Sequence, residues 1–281
     1  MSELKLTILI DNNTLIDRYF LGEPGFCLHI RAGREILFDL GYSDAFIQNA
    51  HKLGINLRQI DAVVLSHGHL DHTWGLEPLI KLQTEALIEG LSVKQAELIA
   101  HPLVFTTKSI ASLPQIGSLI SRDKAAEHFE LRLTREPAWL TPRLVFLGEI
   151  PRNLDFEPDY AIGDIHEPGA KPQKDFLQDD SALVYKSELG LVVIAGCAHS
   201  GICNTIERAR EVCGESRVRS VIGGFHLLNP DIERLGGTID YLKKLELESL
   251  YACHCTDLKS KIALGQSLPL REVGVGLKLE F

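Results

Sequence analysis

The chain has 281 residues, a formal net charge of −9 and 45% hydrophobic residues, which suffices for a sizeable buried core. The 38 acidic residues outnumber the 29 basic ones, and no lysine- and arginine-rich block stands out, which disfavours a nucleic-acid partner. No uninterrupted apolar run reaches the roughly 18 residues that a membrane-spanning helix needs. We therefore expect neither a nucleic-acid nor a membrane partner.

The N-terminal segment and the cysteines bear on the cellular compartment. Residues 1–14 place acidic and polar residues on both sides of a short apolar run, which does not resemble a signal peptide. Six cysteines in such a chain favour reduced thiols over a disulfide framework. Cys253 and Cys255 stand too close together for a zinc knuckle. We expect a cytoplasmic protein, and the sequence leaves its oligomeric state undecided.

The first 66 residues are dominated by short apolar and alternating runs, which are typical of strands. The predicted strands lie at residues 4–10, 26–31, 35–39 and 61–66. Gly33 offers a turn for a hairpin, and a helix is predicted from Ser43 to Leu53. The last strand is rich in β-branched residues, which favours burial on both faces.

The second half of the chain alternates strands and helices, which indicates an α/β protein. Strands are predicted at residues 181–185, 191–196, 218–222 and 249–252, and helices at 202–212 and 231–245. Between the halves, from about residue 87 to 167, prolines are frequent and periodic segments are few. We therefore predict a single domain over 1–281 with a cap-like insertion at about 87–167.

A histidine-rich segment follows the strand at 61–66 directly. It contains His67, His69, Asp71 and His72 within six residues. These imidazoles cannot all pack as apolar groups and would repel one another if protonated together, whereas divalent cations resolve both problems. The alternate spacing lets His67 and His69 face one ion, and Asp71 and His72 a second. We predict two divalent ions, zinc by preference, with manganese or iron as alternatives.

The segment 65–72, Leu-Ser-His-Gly-His-Leu-Asp-His, resembles the metal-binding signature of the metallo-β-lactamase superfamily. Residues 36–41 are similar to the aspartate-bearing turn that precedes the metal loop in that superfamily. The resemblance implies an αββα sandwich with an inserted cap segment and a dinuclear metal site. It also implies that Asp39 supports the metal-binding histidines through a hydrogen bond instead of binding an ion.

Four further segments resemble the subfamily that contains the 7,8-dihydropterin-6-methyl-4-(β-D-ribofuranosyl)aminobenzene 5′-phosphate synthases. They are Asp-Asp-Ser-Ala-Leu at 179–183, Gly-Cys-Ala-His-Ser-Gly at 196–201, Gly-Gly-Phe-His-Leu at 223–227 and Cys-His-Cys-Thr at 253–256. Three of them lie at the ends of predicted strands, where ligand sites of α/β proteins collect. The remaining metal ligands are expected from these segments.

The resemblance implies that His254 is a ligand of the second metal. The places of other ligands in relatives fall near Asp180 and Cys197, and both residues depart from the common pattern. His199, two residues beyond Cys197, is a more usual ligand. Carboxylate, thiolate and imidazole all bind such metals, so Asp180, Cys197 and His199 remain alternatives.

Two residues are expected to act on the substrate. Asp71 is predicted to bind metal and to shuttle protons, and His226, which follows two glycines, to contact the substrate or donate a proton. Asp11 and Asn12 resemble an Asp-Asn pair that the subfamily places near its site, although such stretches usually form turns.

Three functions are compatible with this pattern. The first is a hydrolase of an ester, thioester, lactone or phosphoester, in which a metal-activated water attacks a small, anionic substrate. The second, implied by the subfamily resemblance, is a transferase that joins a pterin methyl-diphosphate to an aminobenzene ribotide and releases diphosphate. The third is a non-hydrolytic iron site that senses or reduces a small molecule, since His, Asp and Cys donors also suit iron.

Overall fold

The computed structural model describes residues 3–157, 159–167 and 169–281. In chain order, the strands of the described residues are β1 (Lys5–Ile10), β2 (Cys27–Arg31), β3 (Glu35–Phe38), β4 (Ala62–Val64), β5 (Glu97–Ala100), β6 (Thr107–Ser109), β7 (Glu130–Leu133), β8 (Ala138–Thr141), β9 (Leu144–Phe146), β10 (Asp164–His166), β11 (Gln173–Lys174), β12 (Ala182–Ser187), β13 (Gly190–Ala195), β14 (Val218–Gly224), β15 (Ser249–Cys253) and β16 (Lys278–Glu280). The helices are α1 (Ala45–Leu53), α2 (Leu70–Thr73), α3 (Leu76–Ile88), α4 (Arg122–His128), α5 (Ile202–Cys213), α6 (Ile232–Lys243) and α7 (Leu258–Gly265).

Two large sheets pack face to face. Within the described residues, the first sheet has the strand order β16-β1-β2-β3-β4-β5-β7, and the second has the order β15-β14-β13-β12-β9-β8. Apolar side chains from both sheets meet between them and exclude water. Phe38 and Val64 of the first sheet are fully buried there together with Leu183, Ile194 and Ile222 of the second.

Helices cover the outer faces of both sheets. Helices α1 and α3 bury Phe46 and Leu79 against the first sheet. Helices α5, α6 and α7 bury Ile206, Leu242 and Leu264 against the second. The chain is therefore an αββα sandwich, which confirms the predicted fold class. Of the helices described, none combines the length and the apolar character needed to cross a bilayer.

The strand directions bring several loops to one edge of the sandwich. Strands β3 and β4 run parallel, and so do β13, β14 and β15. The residues that directly follow these five strands are Asp39, Leu65, Gly196, Phe225 and His254. Because the carboxyl ends of parallel strands lie at the same edge of a sheet, the histidine-rich loop of one sheet faces the loops of the other.

The segment 87–167 enters both large sheets. It provides β5 and β7 of the first sheet and β8 and β9 of the second. These strands are only three or four residues long, so their periodicity is hard to recognise in the sequence. The rest of the segment contributes β6 and β10 to a small three-stranded sheet with β11. That the small sheet and its loops act as a cap therefore stays a prediction. The assignment of residues 1–281 to one domain also stays a prediction.

Replacing Ile194 by alanine should destabilise the fold strongly, because its side chain is fully buried between the two sheets. We expect the free energy of unfolding to fall by about 2–5 kcal/mol in chemical denaturation. The matched control is Ile232→Ala, at a residue that is 92% exposed, which should change the same quantity by about 0.5 kcal/mol or less. An equal loss of unfolding free energy in the two variants would contradict a core that lies between the two sheets.

Candidate metal centre

His67, His69 and His199 form a first set of donors. One ligand atom from each lies within 4.8 Å of the others. The Nε2 atoms of His67 and His199 are 3.2 Å apart. Two nitrogens bound to one tetrahedral zinc ion at about 2.0–2.1 Å lie about 3.3 Å from each other, so this set has a spacing that suits such an ion.

Asp71, His72 and His254 form a second set. Their ligand atoms also lie within 4.8 Å of one another. The Nε2 atoms of His72 and His254 are 3.2 Å apart, and Asp71 Oδ2 lies 3.4 Å from His254 Nε2. The histidine-rich loop thus contributes His67 and His69 to one set and Asp71 and His72 to the other, although His67 and His72 also form a group with Cys197. The assignment of these pairs to two ions stays a prediction.

Asp39 connects the two sets through hydrogen bonds. Its Oδ2 lies 2.7 Å from His72 Nδ1 and accepts the Ser66 hydroxyl at 2.7 Å. Since that hydroxyl donates to Asp39, it accepts from His67 Nδ1 at 2.9 Å. Both histidines therefore carry their proton on Nδ1 and keep the Nε2 lone pair for a cation. The bond to His72 confirms the supporting role predicted for Asp39.

Hydrogen bonds also orient His254, and they come from the two residues that follow β1. Its Nδ1 lies 3.0 Å from Asn12 Oδ1, and its backbone N–H donates to Asp11 Oδ1 at 2.8 Å. An amide oxygen only accepts, so His254 carries its proton on Nδ1. The sequence favoured an ordinary turn for Asp11 and Asn12, and Asp11 Oδ2 does accept the backbone N–H of Asn13 at 3.0 Å as in such a turn. Both residues also contact His254 of the second set.

The second set attracts positive charge. The Nε2 lone pairs of His72 and His254 face each other at 3.2 Å and would repel without a proton or a cation between them. Burial disfavours a charge on His72, but the carboxylates of Asp39 and Asp71 outweigh burial and raise its pKa to about 9. A divalent ion fits this environment, because it supplies the positive charge and accepts both lone pairs.

The first set consists of neutral imidazoles. Burial and the neighbouring His72 lower the pKa of His67 well below its ordinary value, and burial and His226 do the same for His199. Burial, with a contribution from the Lys108 charge, lowers the pKa of His69 to about 4. Neutral imidazole is the form that binds metals. Within the described residues, the buried His69 Nε2 also has no hydrogen-bond partner, which is expected of an atom that a ligand completes.

Two thiols, those of Cys197 and Cys255, lie beside the donor sets. Cys197 is grouped with His67 and His72 and also with His254 and Cys255. The two Sγ atoms are 3.1 Å apart. Burial opposes a thiolate at Cys255, yet the hydrogen bond from Cys197 and the charge of His254 lower its pKa well below the ordinary value, while burial raises the pKa of Cys197. At this distance the Cys197 thiol can donate a hydrogen bond to Cys255 Sγ.

Asp180 joins neither set. Its Oδ2 accepts the backbone N–H of Ser200 at 2.7 Å, and its buried Oδ1 has no partner among the described residues. Of the three alternatives for the remaining ligand, the structure brings Cys197 and His199 to the cluster and directs Asp180 to the backbone of the loop that carries them. The side chain of Asp180 thus orders the loop rather than facing the other donors.

Three buried charged side chains connect the histidine-rich loop to the small sheet. Lys108 of β6 is fully buried, and its Nζ lies 2.6 Å from Asp175 Oδ2 and 3.0 Å from Asp179 Oδ1. Asp179 Oδ2 in turn accepts the backbone N–H of Gly68 at 2.8 Å. A Cβ at Gly68 would meet the carbonyl oxygen of Val104 at 2.6 Å, so only glycine fits. Lys108 could not be recognised from the sequence, because a single lysine in an irregular segment has no pattern.

Asp71 and His226 line a cavity of about 350 Å³ next to the two sets. The His226 ring centroid lies 4.2 Å from that of His199, and its buried Nδ1 has no partner among the described residues. His226 and His254 both have a φ of 47°, a left-handed conformation that is costly for residues other than glycine and that clusters at functional sites. Both residues predicted to be catalytic can thus reach a molecule in this cavity.

The comparisons with known proteins agree with this architecture. Residues 22–94 match the model of the metallo-β-lactamase superfamily. The chain is 32% identical, over 81% of its own length and 77% of the relative, to the 7,8-dihydropterin-6-methyl-4-(β-D-ribofuranosyl)-aminobenzene-5′-phosphate synthase of Methanocaldococcus jannaschii. The chain belongs to the metallo-β-lactamase superfamily. Within the superfamily it falls in the group that contains this synthase.

Two further proteins resemble the chain along nearly its whole length. An uncharacterised protein of Methanocaldococcus jannaschii is 29% identical over 93% of this chain and 94% of that protein. A solved structure described as a metal-dependent hydrolase of the β-lactamase superfamily has a TM-score of 0.82 and 25% identity, and the match covers 99% of both chains. The two donor sets are therefore candidate metal sites in a superfamily whose members usually bind metals.

Replacing Asp39 by asparagine should weaken metal binding. The amide keeps the size of the side chain but loses the charge that orients His72 and, through Ser66, His67. We expect the affinity for zinc to fall by about 10–100-fold in a competition titration with a chromophoric chelator. The control is Asp44→Asn, at an exposed residue before α1, which should leave the affinity unchanged. A wild-type affinity for zinc in the Asp39 variant would contradict the role of Asp39 in orienting His67 and His72.

Replacing Asp180 by asparagine should stabilise the metal-free chain at neutral pH. Burial, partly offset by the backbone N–H groups of Ser200 and His199, raises the pKa of Asp180 to about 6 in the folded state, from an ordinary value of 3.8. The wild-type chain therefore loses stability as the pH rises through about 6, and below pH 4 this loss is absent. We expect the variant to gain about 1–3 kcal/mol relative to wild type between pH 4 and pH 8 in chemical denaturation.

The same variant tests whether Asp180 binds metal. Asparagine still accepts the N–H of Ser200, and the carboxylate lies outside both donor sets, so zinc content per chain should equal that of wild type. A loss of one zinc ion per chain would show that Asp180 is a ligand after all.

Proposed function

We propose that the chain is a metal-dependent hydrolase that cleaves an ester, thioester, lactone or phosphoester bond with a metal-activated water. The observation that carries the proposal is the arrangement of two donor sets, each with three side chains, beside one cavity that Asp71 and His226 line. The likeness to a solved metal-dependent hydrolase supports it. The substrate is proposed to be a small molecule with an anionic group.

The donor chemistry supports two divalent ions, zinc by preference, with manganese or iron as alternatives. The first set would hold one ion and the second set the other, and the Cys197 thiol is grouped with residues of both. When bound, such ions lower the pKa of a water to near neutrality and polarise a carbonyl or phosphoryl oxygen.

The chain's own residues orient the substrate and move protons. Burial opposes a charge on Asp71, but His72 and His254 outweigh burial and hold its pKa below the usual range, so the carboxylate is ionised at neutral pH. Ionised carboxylate is the form that both a metal ligand and a proton acceptor require. The side chain of Asp71 is 26% exposed and can take a proton from the attacking water. His226 can donate a hydrogen bond or a proton to the leaving group from the cavity wall.

A second candidate is a transfer reaction, which the likeness to the synthase of Methanocaldococcus jannaschii favours. In this reaction a pterin methyl-diphosphate would be joined to an aminobenzene ribotide with release of diphosphate. Phosphate groups are commonly held by arginine or lysine side chains. Among the described residues that line the cavity there is neither, so hydrolysis ranks first. Diphosphate release that requires both substrates together would establish transfer instead.

His69→Ala and Asp71→Ala should each abolish hydrolysis, because each removes one donor from a different set. Loss of a residue that only supports a metal ligand already costs about 10–100-fold, so we expect activity to fall by more than about 100-fold. Zinc content, measured by elemental analysis, should fall with it. Circular dichroism should show that the secondary structure is retained.

The controls use the same substitutions at exposed positions. His51→Ala in α1 and Asp240→Ala in α6 should keep both activity and zinc content. Unchanged zinc content in both His69 and Asp71 variants would refute the assignment of the sets. A metal-loaded protein that turns over no member of a panel of esters, thioesters, lactones and phosphoesters would refute the hydrolase function.

A further inference from the structure

The cavity beside the donor sets has a polar side and an apolar side. The polar side consists of donor residues together with Asn12, Cys255 and His226. The apolar side consists of Pro24, Leu70, Ile110, Ile116, Ile162 and Leu228. No lysine or arginine is among the described lining residues. An anionic group of a ligand would therefore find a cationic partner where the metal ions would be held and not at a lysine or arginine of the described lining.

Backbone hydrogen bonds hold the apolar side of the cavity next to the histidine-rich loop. Ile116 is 6% exposed, and its carbonyl oxygen accepts the backbone N–H of Leu70 at 2.8 Å. Ile110 directly follows β6, and Ile162 precedes β10 with its N–H donated to the carbonyl oxygen of Asp175 at 2.8 Å. These hydrogen bonds anchor Ile116 and Ile162, and β6 carries Ile110, beside the candidate metal centre.

The buried lysine of the same region is not available to a ligand. Lys108 lies two residues before Ile110, but its Nζ is held by Asp175 and Asp179, and its side chain is fully buried. Its charge is therefore balanced inside the protein. A second anionic group of a substrate on the apolar side would lose its water without gaining a cationic partner.

We infer that the substrate is compact, with one reacting group that binds at the donor sets and an uncharged, apolar remainder that packs on the isoleucine side of the cavity. The inference rests on the proposed hydrolase function and narrows its substrate class to esters, thioesters, lactones or phosphoesters whose only charge, where they carry one, lies on the group bound at the donor sets. Apolar remainders gain free energy from burial against Ile110, Ile116 and Ile162. A volume of about 350 Å³ is near the lower end for small-molecule sites, which limits the size.

Two esters with the same scissile bond test the inference. The 4-nitrophenyl ester of butyric acid and the mono-4-nitrophenyl ester of succinic acid differ at the far end of the acyl chain, where a methyl group replaces a carboxylate. With zinc-loaded protein we expect kcat/KM for the butyrate ester to exceed that for the succinate ester by at least about tenfold, because the extra charge would have to be buried unpaired. Equal values would overturn the inference and leave the hydrolase function standing.

A variant places a cation on the apolar side. Ile162→Lys should raise kcat/KM for the succinate ester relative to the butyrate ester, so that the difference shrinks by at least about tenfold. Ile162→Met, which keeps an apolar side chain of similar size, should retain the wild-type preference. Ile162 is half-buried, so the lysine end can reach water while its stem covers apolar surface. No change in preference with the lysine variant would count against the inference.

A binding measurement separates the inference from the proposed reaction. Calorimetric titration of the zinc-loaded protein should show that hexanoate binds at least about tenfold more tightly than adipate, which has the same carbon chain with a second carboxylate. If neither ester is turned over but hexanoate is preferred, the hydrolase function fails and the inference about the ligand stands. If adipate binds as tightly as hexanoate, the inference fails whatever the turnover.

Discussion

The candidate metal centre depends on the hydrogen bonds that the buried carboxylate of Asp39 accepts. It orients His72 directly and His67 through the Ser66 hydroxyl, so one side chain sets the direction of a donor in each set. Its position follows from the fold, because Asp39 directly follows β3 and its N–H donates to the carbonyl oxygen of Val64 at 2.8 Å. Its φ is 55°. Glycine at position 196 leaves space for the Ser66 hydroxyl, because a Cβ there would lie 2.1 Å from Ser66 Oγ.

This arrangement explains why the two sheets must face each other. Asp39 and the histidine-rich loop belong to the first sheet, while Cys197, His199 and His254 follow strands of the second. Neither sheet alone assembles a complete set of donors. The apolar layer between the sheets therefore stabilises the fold and also fixes the distance between donors that are far apart in the chain.

Local patterns made much of this predictable. Apolar periodicity located β1 to β4, β12 to β15 and the helices α1, α5 and α6, but not the short strands β5 to β11 or the helices α3 and α4. The short spacing from His67 to His72 indicated that the loop divides between two sets. Which residue completes the first set was not predictable, because it depends on loop conformation. Ala198 has a φ of 51°, and Asp180 binds the N–H of Ser200, so the loop turns His199 toward His67. Lys108 was missed because its partners lie more than 60 residues away in the chain.

Anomalous diffraction at the zinc edge, from crystals grown with zinc, tests most directly whether the cluster around Asp39 holds a pair of metal sites. Two peaks are expected about 3.5–4 Å apart, one among His67, His69 and His199 and the other among Asp71, His72 and His254. The absence of a peak in this cluster, or peaks only at exposed side chains elsewhere, would contradict the metal centre on which the proposed function rests.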